Sequence, residues 1–217
     1  MNQELIQSIL VSYAGLVLLL TFHEVGHAWM AWKCGDDTAK KLGRVSLNPL
    51  VHMEFLGTVV LPLAILYLGS TGSAAASFLV GWAKPVPVDA NKLKSPKVDD
   101  ILISMAGPAV NLILAILLLA LARMFYMVDL PAAAPICKSM AQLSLMLCFF
   151  NLIPIPPLDG SHVVRVLIGM SIETYLKLAQ YGFILVILAL QIPGLRLALY
   201  RVNRSCYQTI AGWFGLT

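Results

Sequence analysis

Uncharged apolar stretches recur along the chain from Leu5, Phe55, Ile101, Ser139 and Leu178, each near the roughly 20 residues that carry a helix across bilayer hydrocarbon. The first predicts a helix from about Leu5 to about Lys33, uncharged through Phe22 and then carrying His23, Glu24 and His27 before Gly35, Asp36 and Asp37 stop it. Polar groups thus lie deep in an otherwise apolar helix. Phe55 to Ala83 is broken by Pro62 and by Gly69 to Gly72, which predicts a hairpin of two short crossings or a re-entrant segment. Non-helical backbone at that depth is tolerated only where protein buries it or a wet cavity meets it. Lys84 to Val88 contains Pro85 and Pro87; each lacks an N–H and biases its predecessor towards extended geometry, so a strand near the membrane surface is expected. A third helix is expected from about Ile101 to about Ala122, with Gly107, Pro108 and Asn111 near its start, where small residues permit close helix contact. The fourth covers about Ser139 to Ile153 and breaks at Pro154, Pro156 and Pro157, and a fifth covers about Leu178 to Gln191. The pattern assigns nothing to the tail with Arg196, Arg201 and Arg204.

Composition sharpens this picture. Of 217 residues, 59% are hydrophobic and 12% charged, well outside the soluble norm. The fold expected is an all-α polytopic membrane protein of about five to six transmembrane helices, with a re-entrant or extended segment beside them, in one domain over residues 1–217. The first stretch lacks the basic start and small-residue cleavage site of a signal peptide, so it reads as a retained helix. The net charge of +4 is modest, and its Lys and Arg sit between apolar stretches. That suits a topogenic or membrane-surface role and not nucleic-acid binding. Lys33, Lys40, Lys41 and Arg44 form one basic group and Lys84, Lys92, Lys94 and Lys97 the next, which places both on the cytoplasmic side and the N-terminus outside. Cys34, Cys137, Cys148 and Cys206 form no C-x-x-C pair, so buried or free thiols are expected and not a thiolate metal site.

The chemistry centres on His23-Glu-Val-Gly-His27. Two imidazoles one helical turn apart can face one ion, and the intervening Glu24 can reach a water there. A glutamate inside an apolar helix costs a few kcal/mol on insertion scales and normally serves function. A catalytic zinc takes three protein ligands, so one more His, Asp or Glu is needed. Asp159 is the leading candidate, because the proline-broken backbone before it can turn a carboxylate inward at depth; capping of the next helix is its competing role. Glu54 is the rival ligand, and His52 and His162 lie next to polar boundaries where a hydrogen-bonded histidine is the commoner outcome. Asn151 lies two turns before Asp159 if the fourth helix continues that far. It could then donate to a developing oxyanion or serve as helix-packing glue. Asn111 has the same two readings, with packing favoured. A membrane metal transporter or metal-binding scaffold would use similar ligands, but predicts further ligand pairs along a path and gives Glu24 no task.

Taken in order, His23-Glu-Val-Gly-His27, Gly43-Arg-Val-Ser-Leu-Asn-Pro-Leu50 with His52, Gly81-Trp-Ala-Lys-Pro-Val-Pro-Val88, Gly107-Pro108 with Asn111, and Asn151 with Pro154 and Leu158-Asp-Gly160 resemble the site-2 protease family. These are intramembrane zinc metalloproteases, and the likeness is to their compact bacterial form without appended domains. The resemblance implies that His23, His27 and Asp159 hold one Zn2+ per chain, that Glu24 is the general base and that Asn151 contacts substrate or oxyanion. It implies an extended segment over Gly81 to Val88 where substrate adds as a strand. Its implied substrate is a single-span or signal-peptide-like membrane protein, and its implied setting a multi-pass protein of a bacterial inner membrane with the active site towards the cytoplasm. The chain departs from the sub-family after His52, where Met53-Glu54-Phe55 replaces the usual Asp-Pro.

Overall fold

The computed structural model describes residues 3–70, 72 and 82–216. Nine α-helices run through them: α1 (Gln3–Lys33), α2 (Thr38–Lys41), α3 (Leu61–Ser70), α4 (Pro96–Met127), α5 (Ala134–Asn151), α6 (Asp159–Leu167), α7 (Ile172–Ala179), α8 (Gly182–Leu190) and α9 (Pro193–Trp213). Stretches Leu5–Lys33, Pro96–Met127 and Pro131–Asn151 are long and apolar enough to cross a membrane, and α7 with α8 makes a fourth if that bent pair is one span. The architecture is all-helical, as a chain that must satisfy its backbone inside hydrocarbon requires.

α4 is the centre of the bundle. Pro96 opens it at a position where the missing N–H costs nothing. At 32 residues it is about 48 Å long, more than the hydrocarbon thickness of about 30 Å. It packs against α1 on one side, α5 on another and α6 near its start. Its contact with α1 is close because Gly26 has no side chain: a Cβ there would lie 2.9 Å from Val110 Cγ2 and 3.0 Å from the Ala106 carbonyl oxygen. Further along, Ala115 and Leu119 meet Ala141 and Leu145 of α5 and Ile210 and Ala211 of α9. Small residues on facing helices are the usual route to tight packing where lipid offers no hydrophobic drive.

Several elements differ from the sequence pattern. The stretch from Phe55 begins as a π-helical turn, Phe55–Val60, capped by the Glu54 carboxylate, and continues as α3; the second arm of the expected hairpin falls on residues 73–81, outside the described residues. Residues 82–89 form no regular element, so the strand expected over Lys84 to Val88 does not pair into a ladder among the described residues; Asp89 has extended dihedrals. The segment is instead tied at its ends: Trp82 N–H donates to the Gly57 carbonyl and Lys84 N–H to that of His52, while Asp89 N–H donates to Asp36 Oδ2. The expected helix over Leu178 to Gln191 starts earlier, at Ile172, and bends by 63° between α7 and α8, at Gln180 and Tyr181 just before Gly182. The tail forms α9, whose i, i+3 and i+4 apolar contacts to α5 were hidden by its three arginines.

Both basic segments lie at one end of the bundle. Lys94 N–H donates to the Cys34 carbonyl, Lys92 Nζ to Thr38 Oγ1, and Lys40 Nζ stands 3.7 Å from the centre of the Trp32 ring. All four cysteines are free, three of them buried.

Candidate metal centre

His23 and His27 are four residues apart on α1, so their rings stack one turn above the other on the face turned to α4. Both are buried, at 3% and 8% exposure. The fit is possible because α4 presents Gly107 at that level: a Cβ there would collide with His27 Nε2 and with the His23 ring. Two polar atoms of α4 then orient the rings. The Ile103 carbonyl lies 2.7 Å from His27 Nδ1; a carbonyl only accepts, so Nδ1 carries the proton and Nε2 keeps its lone pair. The Asn111 amide nitrogen lies 3.1 Å from His23 Nδ1, and Asn111 itself is wholly buried. Ser144 of α5 donates to the Asn111 backbone carbonyl at 2.7 Å, so this link joins three helices.

Asp159 is brought to the same point from a separate part of the chain. α5 ends at Asn151, and Pro154, Pro156 and Pro157 keep the next seven residues out of a helix until α6 begins at Asp159 itself. Its carboxylate Oδ2 stands 3.2 Å from His23 Nε2, Oδ1 stands 3.4 Å from His27 Nε2, and the two Nε2 atoms are 3.0 Å apart. One ligand atom from each of the three residues lies within 4.8 Å of the others, which small side-chain adjustments bring to the separations of about 3.3–3.6 Å of a tetrahedral zinc with bonds of about 2.0–2.2 Å. Among the described residues this triangle is the group of His, Cys, Asp and Glu side chains that can share one ion. The local chemistry agrees: buried Asp159 Oδ2 makes no hydrogen bond despite its neighbours, and the two Nε2 atoms confront each other. A cation resolves both conflicts. Ligation through both Nε2 atoms also calls for Asn111 to present its oxygen to His23 Nδ1–H, and that oxygen is unpartnered.

Glu24 is buried at 8% exposure beside this triangle, and among the described residues no hydrogen bond restrains its carboxylate. The rival ligand is committed elsewhere: Glu54 Oε2 accepts from Gly57 N–H at 2.6 Å. His52 Nε2 lies 2.8 Å from the Ser46 carbonyl, and His162 Nδ1 3.1 Å from Asp100 Oδ1. Asn151 is the last residue of α5, so the helix does not run on towards Asp159, and its amide donates to the Leu147 carbonyl of its own helix at 2.9 Å. Asn111, expected mainly to pack, is instead the partner of His23. Its only sequence signal was an amide in an apolar helix, one that Asn151 shares.

The chain matches the model of peptidase family M50 over residues 11–135 and 127–190. It is 37% identical to YwhC of Bacillus subtilis over 186 residues, covering 82% of this chain and 78% of that one. It is 35% identical to Rip2 of Mycolicibacterium smegmatis over 188 residues, covering 84% of this chain and 67% of that one. Both relatives carry the words zinc metalloprotease in their names. A third, the zinc metalloprotease MJ0392 of Methanocaldococcus jannaschii, is 36% identical over 84 residues, 39% of this chain and 24% of its own. No solved structure gives a significant match. With its membrane-length helices and its buried donor set, the chain belongs to peptidase family M50 and is a membrane zinc metalloprotease of the site-2 type.

Proposed function

We propose that this protease cuts peptide bonds within or near the transmembrane segment of membrane-protein substrates, single-span or signal-peptide-like, from a site on the cytoplasmic side. His23, His27 and Asp159 are the zinc ligands in this reading, and Glu24 is the general base. The observation that carries it is the convergence of two α1 imidazoles and the α6 carboxylate within 3.4 Å of one another, next to a buried glutamate without a hydrogen-bond partner.

Zinc bound there supplies a Lewis acid that makes water acidic near neutral pH and polarises the scissile carbonyl. Glu24 takes the proton from the attacking water and returns it to the leaving amine. Its lack of a fixed partner leaves it free for both transfers. Ile103 and Asn111 hold the imidazoles in one tautomer and orientation, so the ligand set needs little rearrangement. A helical substrate hides its carbonyls and must be unwound before attack. The segment around Val86 and Val88 is tied at both ends, and among the described residues the Val86 backbone between Pro85 and Pro87 makes no hydrogen bond, so it offers an edge on which an unwound strand can pair. Asn151 uses one amide hydrogen on Leu147; the other is open to a substrate carbonyl or oxyanion. Polar or helix-breaking residues near the cut are expected to favour cleavage.

The decisive experiment is Glu24→Gln, assayed against a co-expressed single-span substrate alongside zinc content. Zinc should remain and cleavage should disappear. Persistent cleavage at the parental rate would remove Glu24 from the mechanism, and zinc uptake into vesicles without proteolysis by the parent would favour a transport role.

A further inference from the structure

The third ligand sits at the first position of a short helix whose start is tied to its own loop: Ser161 donates through both its N–H and its hydroxyl to the Leu158 carbonyl, and Gly160 packs closely on the Leu152 carbonyl. The polar contacts that cross to α4 come further along the helix. One turn on, His162 Nδ1 lies 3.1 Å from Asp100 Oδ1, and one more turn on, Arg165 Nη2 donates to Asp100 Oδ2 at 2.8 Å. Both carboxylate oxygens of a single α4 residue are thus used to hold α6. The residues are mostly buried, with side-chain exposures of 27%, 14% and 16% for His162, Arg165 and Asp100. Removing one partner of such a sheltered pair costs more than losing a surface pair, because the remaining charge is left uncompensated away from water.

Asp100 belongs to a larger pattern on α4. At 100° per residue, positions 100, 103, 107 and 111 fall within an arc of about 80° around the helix axis. Ile103 orients His27, Gly107 makes room for both rings, and Asn111 orients His23. We propose that Asp100 completes this stripe as the positioning residue for the third ligand, so that one face of α4 sets the relative places of all three zinc-binding side chains. Asp100 touches neither metal nor substrate; it acts through α6. The lever is short. Asp159 and His162 are about 4.5 Å apart along the axis, and zinc sites tolerate ligand displacements of only about 0.2 Å. A small slide of α6 on α4 therefore takes the carboxylate out of range.

This inference rests on Asp159 being a ligand, and the test separates the two. The full chain is purified in detergent as the parent and as Asp159→Ala, Asp100→Ala, Asp100→Asn and Asp99→Asn. Zinc affinity is measured by chelator competition, and the visible spectrum is recorded at saturating Co2+, which reports ligand geometry whether or not the enzyme turns over. Asp159→Ala should lose the metal outright; if it keeps parental affinity, the ligand assignment fails. If it loses the metal, Asp100→Ala should bind zinc about 10- to 100-fold more weakly and give an altered cobalt spectrum. Asp100→Asn, which keeps one acceptor, should fall between and decides the matter should the alanine variant not fold. Asp99→Asn removes the neighbouring acid, whose carboxylate caps the start of α4 by accepting from Ser95 N–H. It should leave affinity and spectrum unchanged. Parental zinc affinity and cobalt spectrum in both Asp100 variants, whatever their melting temperatures, would reduce Asp100 to a structural tie and overturn the proposal.

Discussion

Gly107→Ala tests whether the close approach of α4 is a condition for metal binding. A Cβ at this position would lie 2.6 Å from His23 Cε1 and 2.7 Å from His23 Nε2, and nearer still to His27 Nε2. Non-bonded heavy atoms settle at about 3.5 Å or more, so either the rings retreat by about 1 Å or α4 lifts by as much. His27 cannot retreat without stretching its hydrogen bond to the Ile103 carbonyl. α4 cannot lift without opening its contact at Gly26. A shift of this size is several times what a zinc ligand tolerates, about 0.2 Å. The expected result is a fall in zinc affinity of about 10-fold or more, with about 1–3 kcal/mol of overpacking cost in the apo-protein. Purified variants are dialysed against graded chelator, zinc per chain is read by mass spectrometry, and apo-protein melting is followed in parallel. Gly194→Ala is the control, because a Cβ there meets nothing within 4 Å. Parental zinc affinity and parental cleavage in Gly107→Ala would show that the rings have room to spare and that the inferred crowding is wrong.

Asp159→Ala should strip zinc from the purified protein while Glu54→Ala keeps it and loses only the cap on Gly57, and metal analysis with the opposite result would promote Glu54 to ligand. At the end of α1, burial alone would raise the Asp36 carboxyl, but hydrogen bonds from Thr38 and Asp89 and the nearby Lys92 ammonium outweigh it and hold it below the ordinary carboxylate range. A folded value below the unfolded one means that this stabilisation is complete above about pH 4 and is lost as pH falls through the folded value. Asp36→Asn should therefore lower melting at neutral pH, by about 1.5–3 kcal/mol for charge-assisted hydrogen bonds, and flatten the acid limb of the stability profile. Parallel acid limbs for parent and variant would contradict it.

The long spans were legible because lipid makes polar residues conspicuous, and the same contrast singled out His23, Glu24 and His27, whose two imidazoles the fold brings to Asp159. What the pattern could not tell was where a buried polar side chain sends its hydrogen bond. Thr21, Ser104 and Asn151 turn back to a carbonyl of their own helix three or four residues earlier. Asn111, Ser144 and Asn203 cross to another helix. Both choices satisfy the group at similar cost, and only the neighbouring helix decides between them, so the pattern could not say that Asn111 would reach His23 while Asn151 bonds back to Leu147. The tail was missed for a related reason. Arg196, Arg201 and Arg204 lowered the mean hydropathy of α9, whereas its packing uses other faces, through Asn203, Ile210 and Ala211. The bend between α7 and α8 depended on Gly182 packing against Pro156 and Pro157, a contact made across more than twenty residues of chain.

Charge gives the proposed ligands, base and metal a common reason to form one unit at this depth. With neutral imidazoles, Glu24 and Asp159 in their charged forms give the buried cluster two negative charges, and each carboxylate inside a bilayer protein carries a cost of a few kcal/mol when nothing compensates it. Among the described residues no Lys or Arg pairs with them; Arg165 is spent on Asp100, and Lys41 and Lys92 pair with Asp36 and Asp37 at the end of the bundle. A divalent cation supplies the missing two positive charges. In the proposed reading zinc would be counter-ion to the bundle as well as Lewis acid to the substrate, and the contacts from α4 that orient the proposed ligands would serve both roles at once. Displacing Asp159 would leave its carboxylate uncompensated inside the bundle, whereas displacing a neutral imidazole would leave no charge behind, so the charge argument bears hardest on the carboxylate.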